Sequence, residues 1–484
     1  MSTPPAEPVP RTIRLWYGLG SLPGGVGATT ATFLVFYYNQ VLGVPGAQIG
    51  FALLVASVFD AVTDPLAGVL SDATRSRLGR RHPYLFATAV PIAISFYALW
   101  APPAGLGNDG LLAWLVALLL LGRLFGTFYS VPYLALGAEI TKDYEERSSL
   151  TATRSIFSNV GRAASGGLLL LVFLRPTPEF ENGQMNPEGY HHFAILFSGI
   201  ALVALVASAW KTRHAIANLS VAARDAPAIS ALRGLVGEIS SAIRLKAFRA
   251  FLLCSVSKHI GWGVSDALGL YMATYFWHVG TEGLFIWGVG MFSGLFLGFS
   301  FWRRHAVGRE KKTIYILGTV LYLTFFCLPY VMKVAGLWPG QDSPLYFPLY
   351  VFVTGFLAHF FQAGTSIMGG SMLGDLTDLD ELEQGRRREG VLFGAESFGW
   401  KALVGIGSLI AGFTVDLVGL EPGMAPEDVP VELSNLLGLA QGGVMTVLMV
   451  VALIFIRQYD LTRARHREVR DTLEARAREN REST

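Results

Sequence analysis

Two aspartates, one helical turn apart, are the residues of this sequence whose types and spacing most clearly predict chemistry. Asp60 and Asp64 interrupt an apolar run and are spaced i, i+4, so that their carboxylates share one face of a helix. Two such charges in a low-dielectric setting require a cation or a proton to join them. Thr63 adds a hydroxyl, and Pro65 has no N–H, which frees the carbonyl of Ala61. These oxygens are hard ligands, and they predict a site for Na⁺ or for a proton.

Further ionisable residues lie deep within apolar runs: Arg123, Arg154, Arg162, Lys258, Asp266, Glu396 and Lys401. Mutual ion pairs without a ligand are one interpretation, since buried charges are usually paired. Lys401 is the base that we expect to neutralise the two aspartates when no cation is bound, with Glu396 competing for it. Glu396, Trp400 and Lys401 thus form a candidate substrate or coupling group.

The composition indicates which elements must position these residues. Of the 484 residues, 52% are hydrophobic and only 15% are charged, with a mean hydropathy of +0.44. A soluble chain carries about 25% charged residues, so the composition predicts a membrane protein. A net charge of +2 gives no basic field for nucleic acid. The two cysteines, Cys254 and Cys327, are too few and too far apart for a disulfide framework, and no cofactor is expected.

Apolar runs long enough to cross a bilayer, about 20 residues each, recur along the chain. We interpret twelve of them as transmembrane helices, at approximately 15–42, 47–70, 83–101, 111–138, 150–174, 191–210, 250–277, 284–302, 313–332, 346–372, 391–416 and 436–456. The fold class is therefore all-α: a polytopic membrane protein whose helices form two pseudo-symmetric six-helix bundles. Basic hairpins at 75–81 and 303–312 occupy the same position in each half and support this repeat.

The predicted organisation has four parts. They are an N-terminal bundle at 1–210, a cytoplasmic linker at 211–249, a C-terminal bundle at 250–456 and a cytoplasmic tail at 457–484. Apolar residues at helical spacing from Ile229 to Ile243 predict an amphipathic helix in the linker, and a solvated linker is the alternative. The tail, with its interleaved Arg and Glu, is expected to be a polar helix or disordered.

The distribution of Lys and Arg predicts the orientation. The loops and tails assigned to one side hold nearly all of the bases outside the spans, whereas the other side holds only Arg175 and Lys333. Cytoplasmic loops are the ones enriched in Lys and Arg. We therefore expect both termini to be cytoplasmic in a multi-pass protein of the plasma (inner) membrane.

A candidate cytoplasmic gate follows from the same charges. The acidic residues Asp375, Asp378 and Asp380 are expected to pair in one state with the basic loop that contains Arg80 and Arg81. A solvated acidic turn is the alternative, because exposed pairs contribute only about 0–1 kcal/mol each.

Several blocks of the chain together resemble the glycoside–pentoside–hexuronide:cation symporters of the major facilitator superfamily. These blocks are FDAVTDP at 59–65, SDATRSRLGRRHP at 71–83, VPYLAL at 131–136, EERS at 145–148, TR at 153–154, GDLTDLDE at 374–381, RREG at 387–390 and Lys401. They span both halves with consistent spacing. The resemblance implies the major facilitator fold and a secondary active symporter.

The resemblance also implies residue roles. Asp60 and Asp64 correspond to the family's cation-site aspartates, and Thr127 to its cation-site threonine on the fourth helix. Lys401 corresponds to the family's lysine on the eleventh helix. Arg154 lies at the position of an arginine near the substrate cavity.

Departures from the family bear on the substrate. Sugar-binding aspartates of the family are replaced by Gly25 and Ser130, and its stacking tryptophan is replaced by Leu134. Ser130 remains a candidate substrate residue, but the losses favour a lysophospholipid-like amphiphile, with Arg154 and Lys401 on the phosphate side. A glycoside is the alternative substrate.

The predicted function is import of an organic solute by alternating access, coupled to Na⁺ or, as the alternative, to H⁺. The sequence carries no Gly-rich phosphate loop, His-rich metal cluster or nucleophile elbow, so an enzyme is not expected. A non-transporting membrane sensor is a remote alternative. The expected partners are a small organic or amphipathic lipid substrate and the bilayer, with the protein acting as a monomer.

Overall fold

The computed structural model describes residues 9–141, 143–213 and 240–482, and these residues form α-helices without any β-strand. The helices are α1 (Arg11–Leu19), α2 (Leu22–Phe36), α3 (Gly46–Ala73), α4 (His82–Trp100), α5 (Asn108–Ile140), α6 (Tyr144–Leu168), α7 (Pro187–Thr212), α8 (Lys246–Tyr271), α9 (Thr281–His305), α10 (Lys311–Val334), α11 (Tyr346–Tyr350), α12 (Ala358–Gln384), α13 (Glu389–Val418), α14 (Val431–Ile456) and α15 (Arg463–Glu482). The predicted all-α fold class is confirmed.

Each predicted span coincides with one helix or with two helices in series. Within the described residues, ten helical stretches are long and apolar enough to cross a membrane. The predicted seventh and eleventh spans lie on α8 and α13. Helix α8 falls short on composition because Lys258, His259 and Asp266 interrupt it, and in α13 the apolar part of the described sequence is Leu403–Val418. These two helices carry ionisable residues, Lys258, His259, Asp266 and Glu396, within the predicted spans of the C-terminal half.

The first predicted span, 15–42, is broken between α1 and α2. Helix α1 ends at Leu19, and Pro23 starts α2 at one of its first two positions. At the break, the Ser21 hydroxyl bonds to the carbonyl of Gly18 at 2.7 Å and lies 2.6 Å from that of Arg154. A proline at the start of a helix is favoured because its missing N–H has no helical partner there. The break therefore fixes the entry of the chain against α6.

The two halves repeat one another in detail. Helices α2 and α8 each end in a π-helical turn, at Tyr37–Val41 and Met272–Phe276. After these turns, the N–H of Val44 bonds to Tyr38 O at 2.9 Å, and the N–H of Val279 bonds to Ala273 O at 2.8 Å. Both donor and acceptor are offset by 235 residues between the halves. This pseudo-symmetry is the expected result of two related bundles.

The halves pack together at the end of the molecule where these π-turns lie, which we call the aromatic end. Its buried rings include Tyr37, Tyr38, Trp100, Tyr190, Tyr271, Tyr275 and Trp277. The opposite end carries the basic loops at 74–81 and 306–310, and we call it the basic end. Helix α3 runs from the aromatic end to the basic end, and α13 runs back beside it.

Helix α15 packs on the C-terminal bundle at the basic end. The His466 imidazole lies 3.0 Å from Asp378, and Arg463 donates to the carbonyl of Gly308 at 2.6 Å. Of the two alternatives for the tail, the structure has the helix. The predicted amphipathic helix of the linker falls mainly on 214–239, which lies outside the described residues.

Candidate functional site

An ion pair joins α3 to α5 halfway along both helices. The Arg123 guanidinium donates to Asp60 Oδ2 at 2.8 Å, and Asp60 is 4% exposed. The carboxylate lies 14 residues after Gly46, which begins α3, and so about 21 Å from the aromatic end. A positive charge therefore lies beside the first of the two predicted cation-site aspartates.

A second polar contact repeats the first one turn further along. The Thr127 hydroxyl donates to Asp64 Oδ1 at 2.8 Å. Each donor lies 63 residues after its acceptor because α3 and α5 run parallel, so the i, i+4 spacing on one helix matches that on the other. The structure thus brings three predicted cation-site residues, Asp60, Asp64 and Thr127, onto one seam between α3 and α5.

Thr63 faces its own helix. Its hydroxyl donates to the carbonyl of Phe59 at 3.0 Å, with Asp60 O at 3.4 Å. A Thr hydroxyl retains acceptor capacity after donating one hydrogen bond. Thr63 can therefore offer a lone pair, but its proton is held by the helix backbone.

Arg123 is the residue of this seam that the sequence does not predict as part of the site. It was one of several ionisable residues inside apolar runs, and Lys401 was the expected partner of the aspartates. The sequence signal that could have identified Arg123 is the i, i+4 spacing that Arg123 and Thr127 share with Asp60 and Asp64. Two parallel helices that carry polar residues at the same i, i+4 interval align them as two successive contacts.

The register between α3 and α13 locates Lys401 along the bundle. A Cβ on Gly412 would lie 2.1 Å from the carbonyl oxygen of Gly46, and one on Gly405 would lie 2.5 Å from Ser57 Oγ. The helices are antiparallel, so one turn before Gly405 on α13 corresponds to one turn after Ser57 on α3. Position 401 of α13 is therefore level with Asp60. The Lys401 side chain lies outside the described residues.

Glu396 and Trp400 do come together, on the face of α13 that meets α8. Glu396 Oε1 lies 3.5 Å from His259 Nε2, and the Trp400 ring lies 4.9 Å from the His259 ring. Trp262 completes the group, with its ring 5.5 Å from that of Trp400. Two predicted substrate residues therefore belong to an aromatic and acidic cluster in the C-terminal half.

Arg154 and Ser130 lie in the N-terminal half, apart from this cluster. Arg154 is on α6, beside Tyr17 of α1, and its carbonyl faces Ser21. Ser130 follows Tyr129 on α5 and is half-buried. Neither residue contacts Glu396 or Trp400 among the interactions that the structure describes, so the predicted substrate residues divide between the two halves.

Hydrogen bonds close the aromatic end between the halves. Asp416 at the end of α13 accepts from the N–H groups of Gly46 and Ala47 at 2.9 and 2.8 Å. The Tyr271 hydroxyl donates to Asn39 Oδ1 at 2.9 Å, and the Tyr275 hydroxyl to Gln40 at 2.8 Å. A carboxylate at a helix N-terminus is favoured by the exposed N–H groups and the helix dipole.

The predicted gate residues pair within their own halves. Arg80 and Arg81 contact Glu139 at 2.5 and 2.9 Å. In the other half, Lys311 contacts Asp375 at 2.6 Å, Arg388 contacts Asp380 at 2.5 Å, and Arg387 contacts Asp378 at 3.4 Å. None of these ion pairs joins the halves. Among the described contacts, the basic end therefore lacks links of the kind that hold the aromatic end together.

Comparison with known proteins gives matches over nearly the whole chain. A family model described as MFS/sugar transport protein matches residues 16–463. A putative glycoside/cation symporter of Escherichia coli K12 is 27% identical over 461 residues, which cover 93% of this chain and 92% of the relative. A sphingosine-1-phosphate transporter of Mus musculus is 32% identical over 150 residues, which cover 31% of this chain and 30% of the relative.

A solved structure shares the fold. The crystal structure of a D-xylose–proton symporter matches with a TM-score of 0.60 at 14% identity, covering 92% of this chain and 96% of that one. At this identity the likeness concerns the fold alone.

Proposed function

The chain belongs to the MFS/sugar transport protein family, and from this membership we propose that it is a cation-coupled symporter that works by alternating access. The family match and the glycoside/cation symporter among its relatives confirm the resemblance to glycoside–pentoside–hexuronide:cation symporters. The chain is thus a multi-pass transporter rather than an enzyme. The observation that carries the cation coupling is the seam of Asp60–Arg123 and Asp64–Thr127 contacts between two parallel helices.

The donor set of this seam suits a hard monovalent cation. Asp60 and Asp64 supply carboxylate oxygens, Thr127 supplies a hydroxyl 2.8 Å from Asp64, and Thr63 can supply a lone pair. Sodium prefers such oxygen ligands, and a proton on either carboxylate would satisfy the same charge requirement. We propose Na⁺ as the coupling ion, with H⁺ as the alternative.

Cation binding is coupled to substrate through the charge of the seam. Ionisable groups inside a membrane are costly unless they are compensated, so the seam has different free energies with and without its cation. Arg123 compensates Asp60 at 2.8 Å, and Lys401, at the same level of α13, is proposed to compensate the aspartates when no cation is bound. Reciprocal linkage then requires that substrate tighten cation binding as much as cation tightens substrate binding.

The two ends of the molecule support a proposal for its orientation in the membrane and its conformational state. The basic end carries the Lys- and Arg-rich loops and is proposed to face the cytoplasm, with both termini on that side of the plasma (inner) membrane. Contacts between the halves at the aromatic end favour an inward-facing state. In the outward-facing state, Arg80 and Arg81 are proposed to release Glu139 and to pair with Asp375 and Asp378 across the halves. Asp380, which was also predicted as a gate residue, is fully buried against Arg388 and is proposed to stay there.

The substrate is proposed to be an organic solute held between the halves near the middle of the membrane, where such transporters bind their cargo. A Cβ on Gly25 would lie 1.9 Å from the carbonyl oxygen of Ser158, so α2 cannot carry the family's sugar-binding aspartate there without moving from α6. This supports the lean towards a lysophospholipid-like amphiphile. A glycoside is the second candidate, which the named glycoside/cation symporter among the relatives supports.

Na⁺-dependent stabilisation of the purified protein tests the cation site. A ligand that binds only the native state raises the apparent melting temperature by mass action. We expect Na⁺ to stabilise the wild type at constant ionic strength and Asp64→Asn to abolish the effect. Asp109→Asn, in the first turn of α5, is the matched control and should respond as the wild type does. Equal shifts with Na⁺ and with choline would contradict the sodium site.

Transport itself is tested in proteoliposomes. Labelled lysophospholipid and labelled sugars are offered under an imposed Na⁺ gradient and, separately, under a proton gradient. Gradient-driven accumulation of one substrate class identifies the cargo, and dependence on one gradient identifies the ion. Absence of any gradient-driven uptake across both classes would favour the non-transporting sensor.

A further inference from the structure

A buried lysine in the C-terminal half has aromatic neighbours and, among the described residues, no carboxylate within ion-pair distance. Lys258 of α8 is 7% exposed, and its Nζ lies 5.0 Å from the Trp262 ring centroid and 5.6 Å from that of Tyr315. In the part of the chain that the structure describes, no acidic oxygen lies within 4 Å of this ammonium. Cation–π contacts stabilise a cation only in part, whereas a charge inside a membrane span demands compensation.

The groups around Lys258 are mostly hydrogen-bond donors that lack a well-placed partner. Trp262 Nε1 and Ser255 Oγ are buried and make no hydrogen bond of normal geometry among the described residues, although Tyr322 lies close to Trp262. Ser255, Lys258 and Trp262 are spaced at i, i+3 and i+7, so they form one stripe along α8. A buried donor without an acceptor is unfavourable by about 1–3 kcal/mol. The stripe is therefore complementary to a ligand that brings acceptor oxygens.

The opposite wall of this group is on α13 and is accessible. Trp400 is 44% exposed, and the Glu396 side chain is 27% exposed. Glu396 Oε1 lies 3.5 Å from His259 Nε2, and Glu396 is the carboxylate whose charge acts on Lys258. In the absence of ligand, Glu396 thus serves as the internal counter-charge of the cluster. We call Ser255, Lys258, His259, Trp262, Glu396 and Trp400 the α8–α13 cluster.

The α8–α13 cluster lies at the same depth as the Asp60–Arg123 and Asp64–Thr127 contacts between α3 and α5, which we call the cation seam. Lys258 precedes Tyr271, the last residue of α8, by 13 residues, which is about 20 Å along the helix from the aromatic end. Asp60 lies about 21 Å from that end on α3. A solute held between the halves at this depth would therefore lie level with both groups.

We propose that the α8–α13 cluster is the substrate-recognition site of the C-terminal half and that it binds the acidic group of an organic anion. Lys258 provides the counter-charge, Trp262 Nε1 and Ser255 Oγ donate to the anion's oxygens, and Trp400 covers its carbon skeleton. The entering anion replaces Glu396 as the counter-charge of Lys258. This inference rests on the proposed transport function and specifies the chemistry of its cargo.

Anion binding to the purified full-length protein tests the proposal without any gradient. The probes are matched pairs that differ in the acidic group: glucuronate with glucose, glycerol 3-phosphate with glycerol, and lysophosphatidate with monoacylglycerol of the same chain. We expect at least one anion to raise the melting temperature and to quench tryptophan fluorescence while its neutral partner does not. The pair that responds identifies the anion as a carboxylate, a free phosphate or a lipid phosphate.

Variants at Lys258 and Glu396 should change the affinity for the anion in opposite directions. Lys258→Met should weaken anion binding on the order of tenfold or more, since about 1.4 kcal/mol corresponds to tenfold, and Lys258→Arg should retain it. Glu396→Gln should tighten binding because it removes the competing carboxylate. Lys333→Met is the matched control: Lys333 also lies over aromatic rings, at 5.1 Å from Trp277, but at the aromatic end.

Two results would overturn the proposal. One is that no anion of the panel shifts the melting temperature of the wild type. The other is that Lys258→Met, or Glu396→Gln if Lys258→Met does not fold, leaves the response unchanged. Na⁺ stabilisation that depends on Asp64 is measured on the same samples. If it persists while the anion response is absent, this inference fails and the proposed cation coupling stands.

Discussion

The Arg123 guanidinium donates to the Asp60 carboxylate at 2.8 Å, and this contact is repeated one helical turn away by Thr127 and Asp64 at the same distance. The first contact brings a permanent positive charge into the seam, and the second brings only a neutral hydroxyl. The two aspartates therefore differ in the partner that α5 offers them. Asp64 is the carboxylate whose partner from α5 carries no charge.

We expect Arg123→Gln to make the protein more dependent on its coupling ion. The substitution removes the positive charge beside Asp60, and unfolding should become easier by about 1–3 kcal/mol without Na⁺. Added Na⁺ should then stabilise the variant more than it stabilises the wild type. Thermal unfolding over a Na⁺ titration measures both effects. A uniform loss of stability at every Na⁺ concentration would assign Arg123 a structural role only.

Thr127→Val preserves the shape of the side chain and should weaken cation binding on the order of tenfold, which corresponds to about 1.4 kcal/mol. The reason is that the variant lacks the hydroxyl 2.8 Å from Asp64. Thr414→Val is the control, because the Thr414 hydroxyl donates only to Ile410 of its own helix at 2.8 Å. The same cation titration on both variants makes the comparison, and equal responses would remove Thr127 from the site.

Asp416→Ala should loosen the aromatic end. The carboxylate accepts two N–H groups at the N-terminus of α3, and loss of such a helix cap reduces stability by about 0.5–2 kcal/mol. Because these bonds join the halves, the population should move away from the state closed at this end. Distances between spin labels on the two halves, measured at the aromatic end, should lengthen. An unchanged distance distribution would show that Asp416 contributes nothing to closure.

Gly412→Ala should open the aromatic end more than Asp416→Ala does. The added Cβ would lie 2.1 Å from the carbonyl oxygen of Gly46, so α3 and α13 must separate. Gly443→Ala is the matched control, since a Cβ added there would have no atom of a neighbouring residue within 4 Å. Uptake by the first variant should fall well below that of the control. Wild-type uptake in Gly412→Ala would mean that the two helices are not in backbone contact.

Asp380→Asn should destabilise the C-terminal bundle by about 3–5 kcal/mol, the loss typical of breaking one partner of a buried ion pair. Asp380 is fully buried and contacts Arg388, itself 6% exposed, at 2.5 Å. Glu389→Gln, whose partner Arg387 is exposed, should change stability by no more than about 1 kcal/mol. Chemical denaturation compares the two variants, and similar losses would contradict the buried character of the first pair.

Much of the architecture could be predicted because hydrophobicity and charge act over whole helices. A run of about 20 apolar residues has few alternatives to a spanning helix, and the repeat of basic hairpins indicated two related bundles. The break at Ser21 was missed because Gly20 and Pro23 are tolerated within a membrane helix when a neighbouring helix satisfies the backbone. Whether α6 does so is decided by tertiary packing.

Only part of the cation seam could be predicted, because its second helix is placed by tertiary packing. The spacing of Asp60 and Asp64 assigns them to one face of a helix, but only the relative register of α3 and α5 determines what lies opposite. That register places Arg123 against Asp60, a contact that the spacing within one helix does not reveal. Likewise, the sequence marks Lys258 only as one of several ionisable residues in apolar runs. It forms a candidate site with His259 and Trp262 only when α13 brings Glu396 and Trp400 against them.

The attachment of α15 has a practical consequence. His466 and Arg463 tie this helix to Asp378 and Gly308, and each of these contacts lies within the C-terminal half. Any rocking of one half against the other would therefore move α15 together with the C-terminal half as one rigid body. A fluorophore on an exposed position of α15 and an acceptor dye at Arg77 in the opposite half would act as a molecular ruler. Their energy transfer would follow each transport cycle in real time, without a label inside the membrane.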